Sequence, residues 1–235
     1  MSPDPLTDLA RLEGVPSSLA AARDAVDLLL RDRGVRKISP EQVAASLLTG
    51  ARASARLTSE PDRWISGAVR LSTELPSLAA MLRVAPGQAL ARAHTLAAYD
   101  QVSTEELGRL RAGPDIARRM AGLSDLLTRR SEAPALVLAA VAHAEVATAV
   151  PFGSADDLVA RAVERMVLIS SGFDPPGVIA TEVGHEHRAE DYRRLLRAYA
   201  SGTIDGVRQW ILHVATAAVD GAAVGVGKER LSPAE

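Results

Sequence analysis

The sequence predicts an all-α protein, and three features carry that reading. Aromatic residues make up only 3% of the 235-residue chain while hydrophobic residues reach 47%, so the core must be built mainly from Ala, Leu and Val. That composition favours closely spaced helices over sheets, which draw on β-branched and aromatic side chains. Apolar residues recur at three- and four-residue intervals, and several segments open on a Ser or Pro start signal. Charged residues, at 24%, complete the balance of a folded globular chain and exclude wholesale disorder.

The elements follow in order. Leu19, Ala22, Val26, Leu29 and Leu30 draw one apolar stripe down a first helix that stops near Gly34. Ser39-Pro40-Glu41-Gln42 combines a Ser cap, Pro at the first helical position and Gln at the capping-box position, and starts a helix through Gly50 to about Leu57. Residues 62 to 100 give at least two more helical segments, broken at Leu75-Pro76 and Ala85-Pro86-Gly87. Ser103-Thr104-Glu105-Glu106 repeats the capping grammar and predicts a short helix. Ile116, Met120, Leu123 and Leu127 keep helical spacing, and Arg118-Arg119 and Arg129-Arg130 beside them read as solvated faces.

Two segments, Ala135 to Val150 and Leu158 to Ser170, are apolar on nearly every face and belong in the middle. Pro151-Phe152-Gly153-Ser154 joins them, so this connection should lie at one end of a buried helix pair. Free backbone N–H groups opening the second helix there could bind an anion. After Gly172 and the Pro175-Pro176-Gly177 break, a helix runs from about His187 to Ala200, and a last one carries Val207, Trp210, Ile211, Val214 and Ala218.

Net charge is −2 and no run of Lys or Arg occurs, so the electrostatic footprint of a nucleic-acid binder is missing. Without cysteine there is no disulfide, thiol nucleophile or thiolate metal site. The opening Met1-Ser2-Pro3-Asp4-Pro5 lacks the basic and apolar regions of a secretory leader. His143 and Glu145 interrupt the longest apolar stretch, which is too short for a membrane span. The expectation is a cytoplasmic protein without nucleic-acid or membrane partners.

The central connection reads Ala142-His143-Ala144-Glu145-Val146-Ala147-Thr148-Ala149-Val150-Pro151-Phe152-Gly153-Ser154-Ala155-Asp156-Asp157-Leu158-Val159-Ala160-Arg161. It resembles the Fic family motif, His-Pro-Phe-x-Asp/Glu-Gly-Asn-Gly-Arg-x-x-Arg, set between two central helices. The likeness covers roughly residues 80 to 220, with Glu190-Asp191-Tyr192-Arg193-Arg194-Leu195-Leu196 and Trp210 following in the family's order. It implies an all-α, Fic-like helical bundle: a helical extension over 1–75, a core over 76–225 and a flexible tail over 226–235. His94 looks like part of the family's core. Between Arg109 and Ala133 the family places a flap that aligns a target by strand addition, whereas this stretch reads as helical.

Most enzymes of the family move AMP, or another phosphate-containing group, from a nucleotide to a protein hydroxyl, with the motif His as base. Here Val150 stands in that position, and a valine has no proton-accepting atom. Pro151 and Phe152 are retained, while the metal-binding acid falls on Ser154, a poor ligand for Mg²⁺. The motif glycines fall on Ala155 and Asp157, the Asn on Asp156, and the first Arg on Leu158. Arg161 keeps the second Arg, which in the family helps hold the terminal phosphate. Two carboxylates beside that position repel a phosphate unless a cation intervenes. Ser154-Ala155-Asp156-Asp157 is also close to a capping box, so a plain helix start competes with a phosphate or metal site.

Many Fic proteins carry a Ser/Thr-x-x-x-Glu-Gly/Asn inhibitory helix whose Glu pairs with the second motif Arg. Its counterpart lies near 53–59, with Ser54 in place and Thr58 at the Glu position. The resemblance therefore implies a degenerate Fic-fold protein that acts by binding or regulation, on a protein partner or a second copy of itself. No catalytic residue, metal or cofactor is expected. The alternative is a divergent nucleotidyl or phosphoryl transferase that holds ATP through Arg161 and Mg²⁺ through Asp156 or Asp157. Outside the motif, His185-Glu186-His187 is read as a surface loop, with a metal site as the alternative. His143 and Glu145 are read as a buried hydrogen-bonded pair holding neighbouring helices rather than as catalytic groups.

Overall fold

The computed structural model describes residues 4–32 and 38–225. These form twelve helices and no strand, which agrees with the all-α expectation. The stop expected near Gly34 and the tail over 226–235 lie outside the described residues.

Helix starts follow the start signals. In α1 (Pro5–Leu9) the Asp4 side chain accepts from the Leu6 N–H at 3.1 Å, and α2 (Val15–Asp32) carries the first apolar stripe. A complete Ser39/Gln42 capping box opens α3 (Pro40–Arg56). Proline stands in the first turn of α4 (Pro61–Thr73), α5 (Leu75–Leu82), α6 (Pro86–Ala98) and α7 (Pro114–Thr128). At that point of a helix the missing N–H would have had no partner anyway.

The apolar pair is α8 (Ala135–Ala149) and α9 (Asp156–Ser170), which pack extensively on each other. Every residue of α9 from Leu158 to Leu168 is buried. The chain closes with α10 (Thr181–His187), α11 (Ala189–Ala200) and α12 (Ile204–Gly225). Trp210 on α12 is fully buried and donates its indole N–H to the Ala140 carbonyl of α8 at 2.7 Å. One hydrophobic core draws on every helix but α10, whose Val183 packs in a smaller cluster with Ala53 and Ala180. No helix among the described residues is long and apolar enough to cross a membrane.

Three expectations are corrected. The Ser103 grammar forms locally, since Glu106 accepts from the Ser103 N–H at 3.1 Å, but only a turn follows. Gly108, at φ +71°, bends the chain away, and its N–H is drawn to His94 Nδ1 at 2.9 Å. The His185 segment is not a surface loop, because it lies in α10. A Cβ on Gly184 would collide with the Ala217 backbone, so glycine lets α10 lie directly on α12 and buries His185 while His187 stays exposed. Arg119 is no solvated residue either. It reaches back to α8, donating to Glu145 at 2.9 Å and to the Thr148 hydroxyl at 2.6 Å.

Candidate functional site

The connection between α8 and α9 is a tight turn whose left-handed backbone steps fall mostly on non-glycine residues. Val150 ends α8 at φ 48°, Gly153 sits at φ 82° and Ala155 at φ 51°. For a β-branched residue this is a strained conformation. The strain is held by bonds. Arg111 donates its backbone N–H to the Pro151 carbonyl at 2.8 Å and its Nε to the Val150 carbonyl at 2.9 Å.

Asp156 closes the turn from the other side. Its carboxylate accepts the Phe152 N–H at 2.8 Å and the Gly153 N–H at 2.7 Å. The donors expected to await an anion are different ones, the N–H groups of Asp156, Asp157 and Leu158 that open α9, and these make no hydrogen bond among the described residues. Burial pushes the Asp156 carboxyl up to about 6, against the opposing pull of the two amides. The capping box expected at Ser154 does not form: Ala155 is the N-cap and provides no side-chain bond.

Ser154 instead pairs with His94 on α6, its Oγ 3.0 Å from Nε2. The Gly108 N–H donates to Nδ1, so the neutral ring carries its proton on Nε2 and donates to Ser154. Burial keeps His94 in that neutral form. The same ring stacks on Phe152, centroids 4.3 Å apart and planes 8° from parallel. His94 thus locks the turn, a role its spacing in the sequence does not reveal.

Val150 is 39% exposed and borders a cavity of ≈ 210 Å³ lined also by Thr58, Ser59, Trp64, Ser154 and Asp157. That is below the roughly 300–1,000 Å³ of ordinary small-molecule sites. No other side chain at the turn offers a free proton acceptor beside Val150 except exposed Asp157: the His94 lone pair and both Asp156 oxygens are engaged.

Arg161 lies one turn of α9 below, buried to 1% exposure. Its guanidinium donates to Ser54 Oγ at 2.7 Å, to the Ser54 carbonyl at 2.9 Å and to the Tyr192 hydroxyl at 3.0 Å. The structure therefore brings Ser54 of α3 onto Arg161. Thr58 does not join them, because its hydroxyl donates to the Ala55 carbonyl at 2.6 Å.

Below Arg161 the sequence reading missed most of what is assembled. His143 and Glu145 do not pair with each other, since residues two apart on a helix face different ways. Glu145 bonds Arg119 and the Tyr199 hydroxyl, whereas His143 bonds Glu164 at 2.5 Å and the Tyr192 hydroxyl at 2.9 Å. His185 completes the group, with Nε2 at 3.0 and 3.2 Å from the two Glu164 oxygens and Nδ1 at 3.0 Å from His213 Nε2. A charged residue on the all-apolar face of α9 was the one available signal for Glu164.

An all-α bundle whose central helix pair is joined by a clamped, left-handed turn defines the class of architecture. No family model and no curated protein matches the sequence. Among solved structures, the chain is similar to the crystal structure of a Fic family protein from Desulfovibrio desulfuricans G20, with a TM-score of 0.65 at 16% identity. The match covers 88% of this chain and 74% of that one. The chain has a Fic-like fold.

Proposed function

We propose that this chain is a Fic-fold protein without ordinary protein AMP-transferase activity, acting by binding a protein partner or a second copy of itself. The observation that supports it most is Val150: an aliphatic side chain occupies the position where, by resemblance, a general base would deprotonate the target hydroxyl. Removing such a base forfeits roughly 10²–10⁴-fold in rate. The surroundings agree. The Phe152 and Gly153 amides are bonded to Asp156 and each Arg161 nitrogen is bonded within the core, which leaves a triphosphate only the first amides of α9 beside the acidic Asp156 and Asp157.

The test is incubation of the purified chain with labelled ATP and Mg²⁺ or Mn²⁺, alone and with a lysate. No transfer of label is expected. Robust labelling of itself or a target that disappears in Asp157→Ala, an exposed substitution that leaves the fold intact, would overturn the proposal. Calorimetric titration with ATP and ADP is expected to show no heat at millimolar ligand. Light scattering then separates the two binding modes, since a second copy doubles the measured mass.

A further inference from the structure

We propose that His143, Glu164 and His185 form a structural binding site for one divalent transition-metal ion of the zinc class, placed where α8, α9 and α10 meet. The proposal is independent of any chemistry at the turn. One donor atom from each residue lies within 4.8 Å of the others, and all three side chains are fully buried. His143 offers Nδ1 and His185 offers Nε2. Glu164 Oε2 lies 2.5 Å from His143 Nδ1 and 3.0 Å from His185 Nε2, so three residues supply three donor atoms and leave the fourth position of a tetrahedral ion to water. Two imidazole nitrogens with a carboxylate are a ligand set that zinc and its neighbours accept.

The spacing suits an ion with little adjustment. Bonds of about 2.0–2.1 Å in tetrahedral arrangement put ligand atoms roughly 3.3 Å apart, and the donors now stand 2.5 to 3.2 Å from the carboxylate. Charge points the same way. Glu164 is a buried carboxylate whose direct partners are two imidazoles, with no guanidinium on it: Arg161 is taken by Ser54 and Tyr192, and Arg165 by Glu182 and the Gly177 carbonyl. Buried charges are ordinarily paired or coordinate a metal.

A supporting shell is also in place. The remaining nitrogen of each histidine has a partner, Tyr192 for His143 and His213 for His185. Such partners orient metal-bound imidazoles and fix their tautomers. With an ion seated, each ring nitrogen facing it gives up its proton to the other nitrogen, so His143 donates to Tyr192 and His185 to His213. No proton need leave the protein. His213 also borders an outer cavity of ≈ 260 Å³ with Arg188 and Asp191, which brings solvent to within one side chain of the site.

The full chain, purified without a polyhistidine tag, is analysed for metal by elemental mass spectrometry. It is then stripped with a chelator and titrated with Zn²⁺ or Co²⁺. About one equivalent per chain is expected, together with a raised unfolding temperature and the visible absorption of a low-coordinate Co²⁺ centre. Glu164→Gln should abolish stoichiometric uptake, and Tyr192→Phe should weaken it about 10–100-fold. Because a core variant can fail to fold, His185→Cys supplies a second readout: a thiolate-to-Co²⁺ charge-transfer band that only direct ligation produces. A folded, stripped chain that takes up neither ion at micromolar concentration overturns the proposal. Uptake unchanged by Glu164→Gln, with no such band in His185→Cys, also overturns it.

Discussion

Replacing Ser54 by Ala tests whether Arg161 is a clamp of the fold or a group held ready for a ligand. In the structure the guanidinium makes three bonds, two to Ser54 and one to Tyr192, and joins α9 to α3 and α11. Ser54→Ala removes one acceptor and leaves a buried, charged N–H unpaired, a loss of about 1.5–3 kcal/mol. Arg161→Met keeps much of the volume but orphans the Ser54 carbonyl and leaves the Tyr192 hydroxyl with His143 alone, and should cost about 1–3 kcal/mol. In that background Ser54 Oγ has nothing left to serve, so adding Ser54→Ala should cost little more. The cycle therefore predicts a coupling of about 1.5–3 kcal/mol, a large share of the roughly 5–15 kcal/mol that holds a domain together. Urea unfolding followed by Trp fluorescence measures all four proteins, with an unchanged slope as the check on two-state behaviour. If Ser54→Ala falls within about 0.5 kcal/mol of wild type and the pair is additive, the clamp is refuted and Arg161 is free to serve a ligand.

Three further outcomes follow from the turn. Ala155→Gly should raise stability by about 0.5–1 kcal/mol, because relief of a left-handed non-glycine residue exceeds the added entropy of the unfolded chain; a lower urea midpoint would count against the strain argument. Val150→His should restore the family's side chain yet not AMP transfer, since the turn amides and Arg161 stay engaged; measurable transfer from labelled ATP would show that the base alone was missing. Asp156 should titrate near pH 6, read by NMR from its carboxyl carbon together with the Phe152 and Gly153 amides. Its folded value lies above the ordinary 3.8, so the stability it contributes is complete below that value and is lost as the pH rises through about 6. A midpoint at or below 4 would mean that the two amides, not burial, set its charge.

What was legible in the sequence was local. Ser39 and Gln42 cap α3 through side chains three residues apart, and a proline in the first turn marks four later helices whatever surrounds them. The apolar pair α8 and α9 announced itself because a helix buried on all sides needs no polar face. The failures share one cause, a distant partner outweighing a local rule. Glu106 satisfied its capping bond, but Gly108 was pulled to His94, fourteen residues back, and no helix grew. α10 has only seven residues, too few for a period, and its burial depends on Gly184 meeting α12. At the candidate site, Ser54 and Arg161 were both singled out, and the structure joins them across 107 positions. Glu164 and His213 belong to the same buried network and neither stands in a motif, while Tyr192 was marked only by its place in the segment over 190–196.

The turn between α8 and α9 shows how side chains can impose a left-handed backbone course on residues other than glycine. A left-handed step is ordinarily left to glycine, yet two of the three here fall on Val150 and Ala155. The side chains that impose the course lie to either side, Asp156 gripping two amides and Arg111 two carbonyls. A turn held this way has used two of its own amides and leaves an anion only the first N–H groups of α9, beside Asp156 and Asp157. A phosphate entering there settles against Asp156 and Asp157 and meets desolvation and like-charge repulsion together. The carboxylate that makes the turn rigid is therefore also one that repels phosphate, and loosening Asp156 would release the strain stored at Val150.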